Sequence, residues 1–263
     1  MDKDLFTVQI NGLIVIVTKE IKRVLRIWPQ SLLPSVITTT LYILVFGKFI
    51  GQHIGSINHS TPYMQFVIPG LIMMSMIQNS YSNVVSSFFG AKFSKSIEEI
   101  VVSPLRPETI VTGYVLGGMF RSFIVGSLVF MVAYFFHPEI GIAHPATFLF
   151  SFVVTPTLFS LIGFTNSLFA RNFDDISIIP TFILTPMVYL GGVFYSTKLL
   201  SPFWESLTRL NPILYLINLF RYSVIGITDD ISVANAMIFL IIMTFAMAWL
   251  NVSLLRKRFG LRL

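Results

Sequence analysis

Residues 63–91 read YMQFVIPGLIMMSMIQNSYSNVVSSFFGA, and they sit inside a charge-free stretch that runs from Lys48 to Lys92. The quoted segment outruns the ~20 apolar residues that a helix needs to cross a bilayer. Charge is equally absent between Arg26 and Lys48, Glu139 and Arg171, Asp175 and Lys198, and Asp230 and Arg256. Of the 263 residues, 54% are hydrophobic and only 11% are charged, and the mean hydropathy is +0.79. A soluble domain carries about 25% charged residues. This chain cannot cover a folded surface in water, which excludes a soluble globular enzyme. Disorder needs low hydrophobicity and high charge, so it is excluded as well.

The gaps predict an all-α integral membrane protein with six spans, at about 30–51, 63–90, 109–136, 146–170, 177–196 and 234–255. Orientation follows from the flanking basic residues. Lys3, Lys19, Lys22, Arg23, Arg26, Lys92, Lys95, Arg106, Arg171, Arg256, Lys257, Arg258 and Arg262 fall on one side. Lys198, Arg209 and Arg221 fall on the other, with Lys48 near its edge. The basic side is cytoplasmic by the positive-inside rule, and both termini lie there. This gives an N-terminal segment 1–29, a transmembrane domain 30–255 and a basic tail 256–263.

Residues 13–28, LIVIVTKEIKRVLRIW, predict an amphipathic helix at the membrane surface that Pro29 ends. At ~100° per residue, Ile14, Val17, Ile21, Val24, Leu25 and Trp28 share the lipid arc, opposite Lys19, Lys22, Arg23 and Arg26. Residues 199–226, LLSPFWESLTRLNPILYLINLFRYSVIG, are too apolar for a free loop. Pro202 and Asn211-Pro212 cut them into pieces too short to span, which predicts a re-entrant helix pair over about 197–226. Trp204 marks its outer side, Asn211-Pro212 its turning point, and Arg221 follows it at the outer headgroup layer. Pro180, Pro186 and Gly191-Gly192 predict a kinked fifth span.

The loop after span two reads AKFSKSIEEIVVSPLRPETI over 91–110. Ser96 and Glu99 have the spacing of a capping box. Pro104 stops the helix within two turns, giving a short cytoplasmic helix over about 96–103. Ile97, Ile100 and Val101 are candidate docking residues on it. Ser75, Asn79, Ser82, Asn83 and Ser86 share one face of span two, with Gln78 beside them. Two readings stay open for this stripe: hydrogen-bonded glue between helices, or the lining of a translocation path. Arg121, a further candidate for the path, lies deep in span three, where a charge must snorkel or meet an anionic headgroup or an acidic neighbour.

These segments resemble the transmembrane subunit of an ABC exporter of the type-2 permease family. The matching motifs are YMQFVIPGLIMMSMI at 63–77, SIEEIVVSPLRPETIVTGYVLG at 96–117 and GGVFYSTKLLSPFWESLTRLNPILYLINLFR at 191–221. Lys92–Ile97 departs from the family pattern just before the short helix. The resemblance implies that Ser96, Ile97, Glu98, Glu99, Ile100, Val101 and Pro104 form a coupling helix for a separate ATPase. It further implies a homodimer in the bacterial inner membrane carrying two ATPase copies, with ATP and magnesium held by that partner and no cofactor in this chain. The cargo it implies is amphipathic or lipid-like (a drug, a lipid or a lipid-linked glycan), with polysaccharide export as the alternative.

The residues agree that energy comes from elsewhere, since no G-x-x-x-x-G-K-[ST] loop is present. A membrane prenyl transferase needs a D-D-x-x-D motif, and Asp174-Asp175 and Asp229-Asp230 each lack the third aspartate. Spans without Asp or Glu speak against a secondary transporter. The chain has no cysteine, which excludes disulfides and thiolate chemistry. His53, His59, His137 and His144 lack metal-ligand spacing, so no metal site is expected. There is no basic–aromatic cluster for nucleic acid. The acidic, polar N-terminus is not the n-region of a signal peptide.

The topology is testable with fusions. A reporter active only outside the cytoplasm is expected to be active after Ile142 and silent after Leu263; activity at Leu263 contradicts the assignment.

Overall fold

A computed structural model describes residues 2–46, 56–57, 61–228 and 231–260. Among these, helices dominate: α1 Asp2–Arg26, α2 Trp28–Leu44, α3 Tyr63–Phe93, α4 Ile97–Val102, α5 Pro107–Phe136 and α6 Pro145–Phe169. Asp175–Ile178 (α7) and Thr185–Leu190 (α8) follow, joined by a π-helical turn over Ile179–Leu184. Then come α9 Pro202–Arg209, α10 Pro212–Ile225 and α11 Val233–Arg256. Two dipeptides, Ser56–Ile57 and Thr61–Pro62, pair antiparallel just before α3. The predicted end of span one, with His53 and His59, lies outside the described residues.

The long α3 is the centre of the bundle. Twenty-five of its 31 residues are buried, and it packs mainly on α6 and α5. Small residues allow that approach. A Cβ on Gly163 of α6 would stand 2.7 Å from the Tyr81 carbonyl oxygen, and one on Gly118 of α5 would stand 2.8 Å from Val84 Cγ2. Hydrogen bonds cross the same contacts: Ser122 Oγ donates to the Met76 carbonyl at 3.0 Å, and Asn166 Nδ2 donates to Tyr81 OH at 2.6 Å. Asn251 of α11 is fully buried and donates to the Leu161 carbonyl at 3.0 Å, while its Oδ1 accepts from Thr165. Two apolar cores result. The larger joins α3, α6, α8 and α10. The smaller gathers Ile16, Phe88, Ile97, Tyr114, Phe164 and Leu255 toward the end that carries α4.

Among the described residues, three helices, α5, α6 and α11, are long and apolar enough to cross a membrane. Helix α3 exceeds them in length but carries the polar stripe. The predicted fifth span is shorter than expected. Its helix stops at Leu190 because Gly192 takes φ +77°, a left-handed turn that glycine adopts without strain. The kink read from Pro180 and Pro186 is the π-helical turn, closed where Thr185 Oγ1 donates to the Pro180 carbonyl at 2.8 Å.

The N-terminal helix differs from its reading in two ways. It starts at Asp2 rather than near residue 13, and Pro29 does not end it. The break falls at Ile27, and Pro29 occupies the first turn of α2, where a missing N–H costs nothing.

Candidate functional site

Helix α1 has three faces rather than two. Ile14 and Leu25 are exposed, as expected of a lipid arc, as is Trp28 at the start of α2, and Lys19, Lys22 and Arg26 are exposed beside them. A third arc of Ile16, Glu20 and Val24 is buried, so Val24 leaves the predicted lipid face and Arg23 turns inward. The reason lies in α5, where Gly113 and Gly117 form a flat i, i+4 row. A Cβ at Gly113 would meet Ile16 Cγ2 at 2.6 Å, and one at Gly117 would meet Glu20 Cβ at 2.5 Å. That Gly-x-x-x-Gly spacing, with a lone acid midway between Ile16 and Val24, is the sequence signal for the buried face.

Glu20 is fully buried and accepts from Ser87 Oγ at 2.5 Å. Arg23 pairs with it at 3.2 Å and also donates to Asn83 Oδ1 at 2.8 Å, the Asn83 carbonyl at 3.0 Å and Ser86 Oγ at 3.4 Å. Farther along α3, Arg121 Nε donates to Asn79 Oδ1 at 3.1 Å, and Arg121 Nη2 donates to the Ser31 carbonyl at 2.9 Å. Asn79 Nδ2 donates to Ser35 Oγ at 2.9 Å, and Thr39 and Ser75 share a hydroxyl–hydroxyl bond of 2.8 Å. The predicted stripe therefore divides. Ser75, Asn79 and Asn83 are buried against α1, α2 and α5, whereas Ser82 and Ser86 are exposed, with Gln78 half-buried beside them. A groove of about 240 Å³ runs along the open edge, lined by Ser35, Thr38, Thr39, Tyr42, Ser75 and Gln78. Arg121 reaches neutral oxygens of α2 and α3 rather than an acidic neighbour.

At the far end of this seam, α1 clasps the loop that carries α4. Gln9 Nε2 donates to the Pro104 carbonyl at 2.8 Å, and Gln9 Oε1 accepts from the Arg106 amide at 2.9 Å and from Thr109 Oγ1 at 2.7 Å. Polar sequence around Gln9 gave no hint of this role. The predicted capping box is absent. Ser96 already has helical φ and ψ and makes no cap bond. Lys95, at φ +60°, turns the chain so that Ser96 Oγ donates back to the Ala91 carbonyl at 3.2 Å. Ile97 is 1% exposed and anchors α4 in the smaller core, with Ile100 and Val101 half-buried against it. What the helix presents outward is Glu98, Glu99 and Val102, the last 86% exposed. The other side of the collar is pinned by Lys92, whose buried ammonium donates to the carbonyls of Ser167, Leu168 and Ala170 at 3.4, 3.1 and 2.6 Å. These are end carbonyls of α6 that the helix itself cannot satisfy.

The predicted helix pair is present as α9 and α10, divided at Asn211-Pro212. Asn211 Oδ1 accepts from the Ile213 amide at 3.0 Å, and its Nδ2 donates to the Met187 carbonyl at 2.6 Å. Pro202 opens α9, where Trp204 is exposed. Arg221 lies inside α10, 1% exposed, stacked 3.6 Å from the Phe66 ring centroid. It donates to the Phe66 carbonyl at 3.1 Å and the Gly192 carbonyl at 2.6 Å, tying α10 to α3 and to the turn after α8. Its single charge in an apolar segment read as an interface residue, but three neighbouring acceptors satisfy it inside.

A match to the model of the ABC-2 type transporter family covers residues 11–225. The chain is 49% identical to the inner membrane transport permease YadH of Escherichia coli strain K12, over 93% of this chain and 94% of that protein. It is 24% identical to nodulation protein J of Sinorhizobium fredii, over 88% and 89% of the two chains, and 21% identical to nodulation protein J of Neorhizobium galegae, over 89% and 88%.

The Glu20–Arg23 pair gives a stability prediction. Glu20→Leu leaves a part-buried guanidinium without its carboxylate and is expected to cost about 3 kcal/mol, read as a lower melting temperature in detergent. Adding Arg23→Met is expected to recover part of the loss. A double variant no better than the single one contradicts the pairing.

Proposed function

Since this chain belongs to the ABC-2 type transporter family, we propose that it is the permease half of an ATP-driven exporter, coupled through α4 to a separate ATPase. The observation that carries this reading is the build of α4. A six-residue helix is fixed from below by Ile97, by the Ser96–Ala91 bond and by the Gln9 clasp, yet it turns Glu98, Glu99 and Val102 outward. A rigid mount with a small acidic and apolar face transmits a push from a partner; a floppy loop does not. The partner holds ATP and magnesium, and two permease copies with two ATPase copies form the working unit.

In this reading α2, α3, α5, α6, the α7–α8 segment and α11 are six spans, with both termini cytoplasmic. Helices α9 and α10 dip into the outer half of the membrane and return. Their backbone is tolerated at that depth because protein covers it, as the burial of most of α10 supports. The open edge of α3, with Gln78, Ser82 and Ser86, lines the path, and the buried Ser75 contributes to the wall of the groove. Asn79, Asn83 and Arg121 hold α1, α2 and α5 to its back. A groove lined by hydroxyls and an amide together with Pro34 and Met74 suits an amphipathic, lipid-like cargo.

The coupling role is tested by reversing both outward charges. Glu98→Lys with Glu99→Lys is expected to lower co-purification of the ATPase, or transport-linked ATP hydrolysis, at least tenfold. Membrane insertion and the melting temperature are expected to stay unchanged, because neither side chain is buried. Normal coupling in the double reversal contradicts the proposal.

A further inference from the structure

The seam between α1–α2 and α3 holds more hydrogen-bond donors than its own acceptors satisfy. Ser31 Oγ and Asn83 Nδ2 are buried without a partner among the described residues. Ser31 is 5% exposed and Asn83 0%. Most buried polar side chains in folded proteins find a partner, so two in one seam, each beside an arginine, call for an acceptor. Charge is unbalanced in the same direction. Arg23 and Arg121 sit one turn of α3 apart, on Asn83 and Asn79. The carboxylate bonded there is that of Glu20, which Arg23 and Ser87 already engage. Arg121 donates to two uncharged oxygens. An arrangement of two forked cations and several neutral donors matches an anion with many oxygens, and guanidinium is the group best shaped for phosphate.

Depth narrows the source of that phosphate. The 31 residues of α3 and 30 of α5 extend about 46 and 45 Å, while the hydrocarbon core is about 30 Å thick. Each helix therefore projects by about ten residues. The charged ends, with Lys92 on α3 and Arg106 and Glu108 on α5, mark where. That places the edge of the hydrocarbon near Asn83 and Gly117, with Arg121 about 6 Å deeper. The phosphates of one leaflet lie just outside this edge, level with Arg23 and Asn83 and one helical turn from Arg121. The seam is open there: Arg23 keeps 25% of its side chain exposed, Ser82 and Ser86 face outward, and Lys19, Lys22 and Arg26 flank it on α1.

We propose that this seam binds the phosphate of an anionic phospholipid from the cytoplasmic leaflet, with Arg121 and Arg23 as its cationic walls and Ser31 and Asn83 as neutral donors. The leaflet follows from the orientation proposed above; the binding does not, and it is measured apart from transport. A bound headgroup would fasten the seam that joins the Gln9 clasp to α3, so lipid composition would set how firmly α4 is mounted.

The test uses the purified full chain in neutral detergent, titrated with dioleoylphosphatidylglycerol, dioleoylphosphatidylcholine or sodium phosphate. Retained lipid is read by native mass spectrometry and stabilisation by melting temperature. Phosphatidylglycerol is expected to bind at least tenfold more tightly than phosphatidylcholine, whose choline cation meets two arginines. Arg121→Gln is expected to lose at least tenfold of that affinity. Ser31→Ala, a small change that leaves the apo melting temperature in place, is expected to lose about threefold. Equal binding of the two lipids overturns the proposal, as does a Ser31→Ala variant that binds like the parent chain. Full competition by millimolar inorganic phosphate overturns the lipid assignment in favour of a free-anion site. These results stand whether or not the chain exports anything.

Discussion

A row of amides and hydroxyls on α3 has to find partners out of water, and the rest of the molecule is arranged around that requirement. Each such group left unpaired in a low-dielectric interior costs about 1–3 kcal/mol, so the row cannot simply face lipid. Helices α1 and α2 supply the partners in order along α3: Glu20 for Ser87, Arg23 for Asn83, Ser35 for Asn79 and Thr39 for Ser75. Helix α5 adds Arg121, and its Gly113 and Gly117 let α1 come close enough to take part. Because the same α1 ends in the Gln9 clasp on Pro104 and Arg106, the position of α4 is tied to the polar side of α3 by one continuous helix.

Such an arrangement has a functional consequence. A displacement of α4 cannot be absorbed by a soft loop, since Lys92, Ser96 and Ile97 on one side and Gln9 on the other fix both of its ends. It must move α1 against α5 or α3 against α6. The open edge of α3, which carries the groove at Thr38, Ser75 and Gln78, would move with it. The coupling proposed for α4 would then need only hydrogen bonds that already exist and small residues on which helices slide.

The elements were largely legible in the sequence because lipid enforces length and charge placement. Pro107 and Pro145 open α5 and α6, and Asn211-Pro212 divides α9 from α10 through the side-chain bond to Ile213. Hydropathy says nothing, however, about which face meets protein. Arg23 read only as part of the basic face of an interfacial helix, and Glu20 drew no reading at all. The partners of Glu20, Arg23 and Arg221, namely Ser87, Asn83 and the carbonyls of Phe66 and Gly192, lie far away in the chain, where no local pattern reveals them. The capping box failed for a local reason. A left-handed Lys95 reversed the direction of the Ser96 hydroxyl, and no propensity argument expects that of lysine.

The pairing of α2 with the polar row of α3 is the claim on which the account turns, and the absence of native cysteine makes it directly measurable. Thr39→Cys and Ser75→Cys replace two hydroxyls that stand 2.8 Å apart, within reach of a disulfide. With a protease site inserted between residues 49 and 60, mild oxidation of membranes is expected to keep the two fragments joined after cleavage until a thiol reductant separates them. Fragments that part without reduction, while a Thr39→Cys, Phe136→Cys control behaves the same way, would show that α2 does not lie on the polar row.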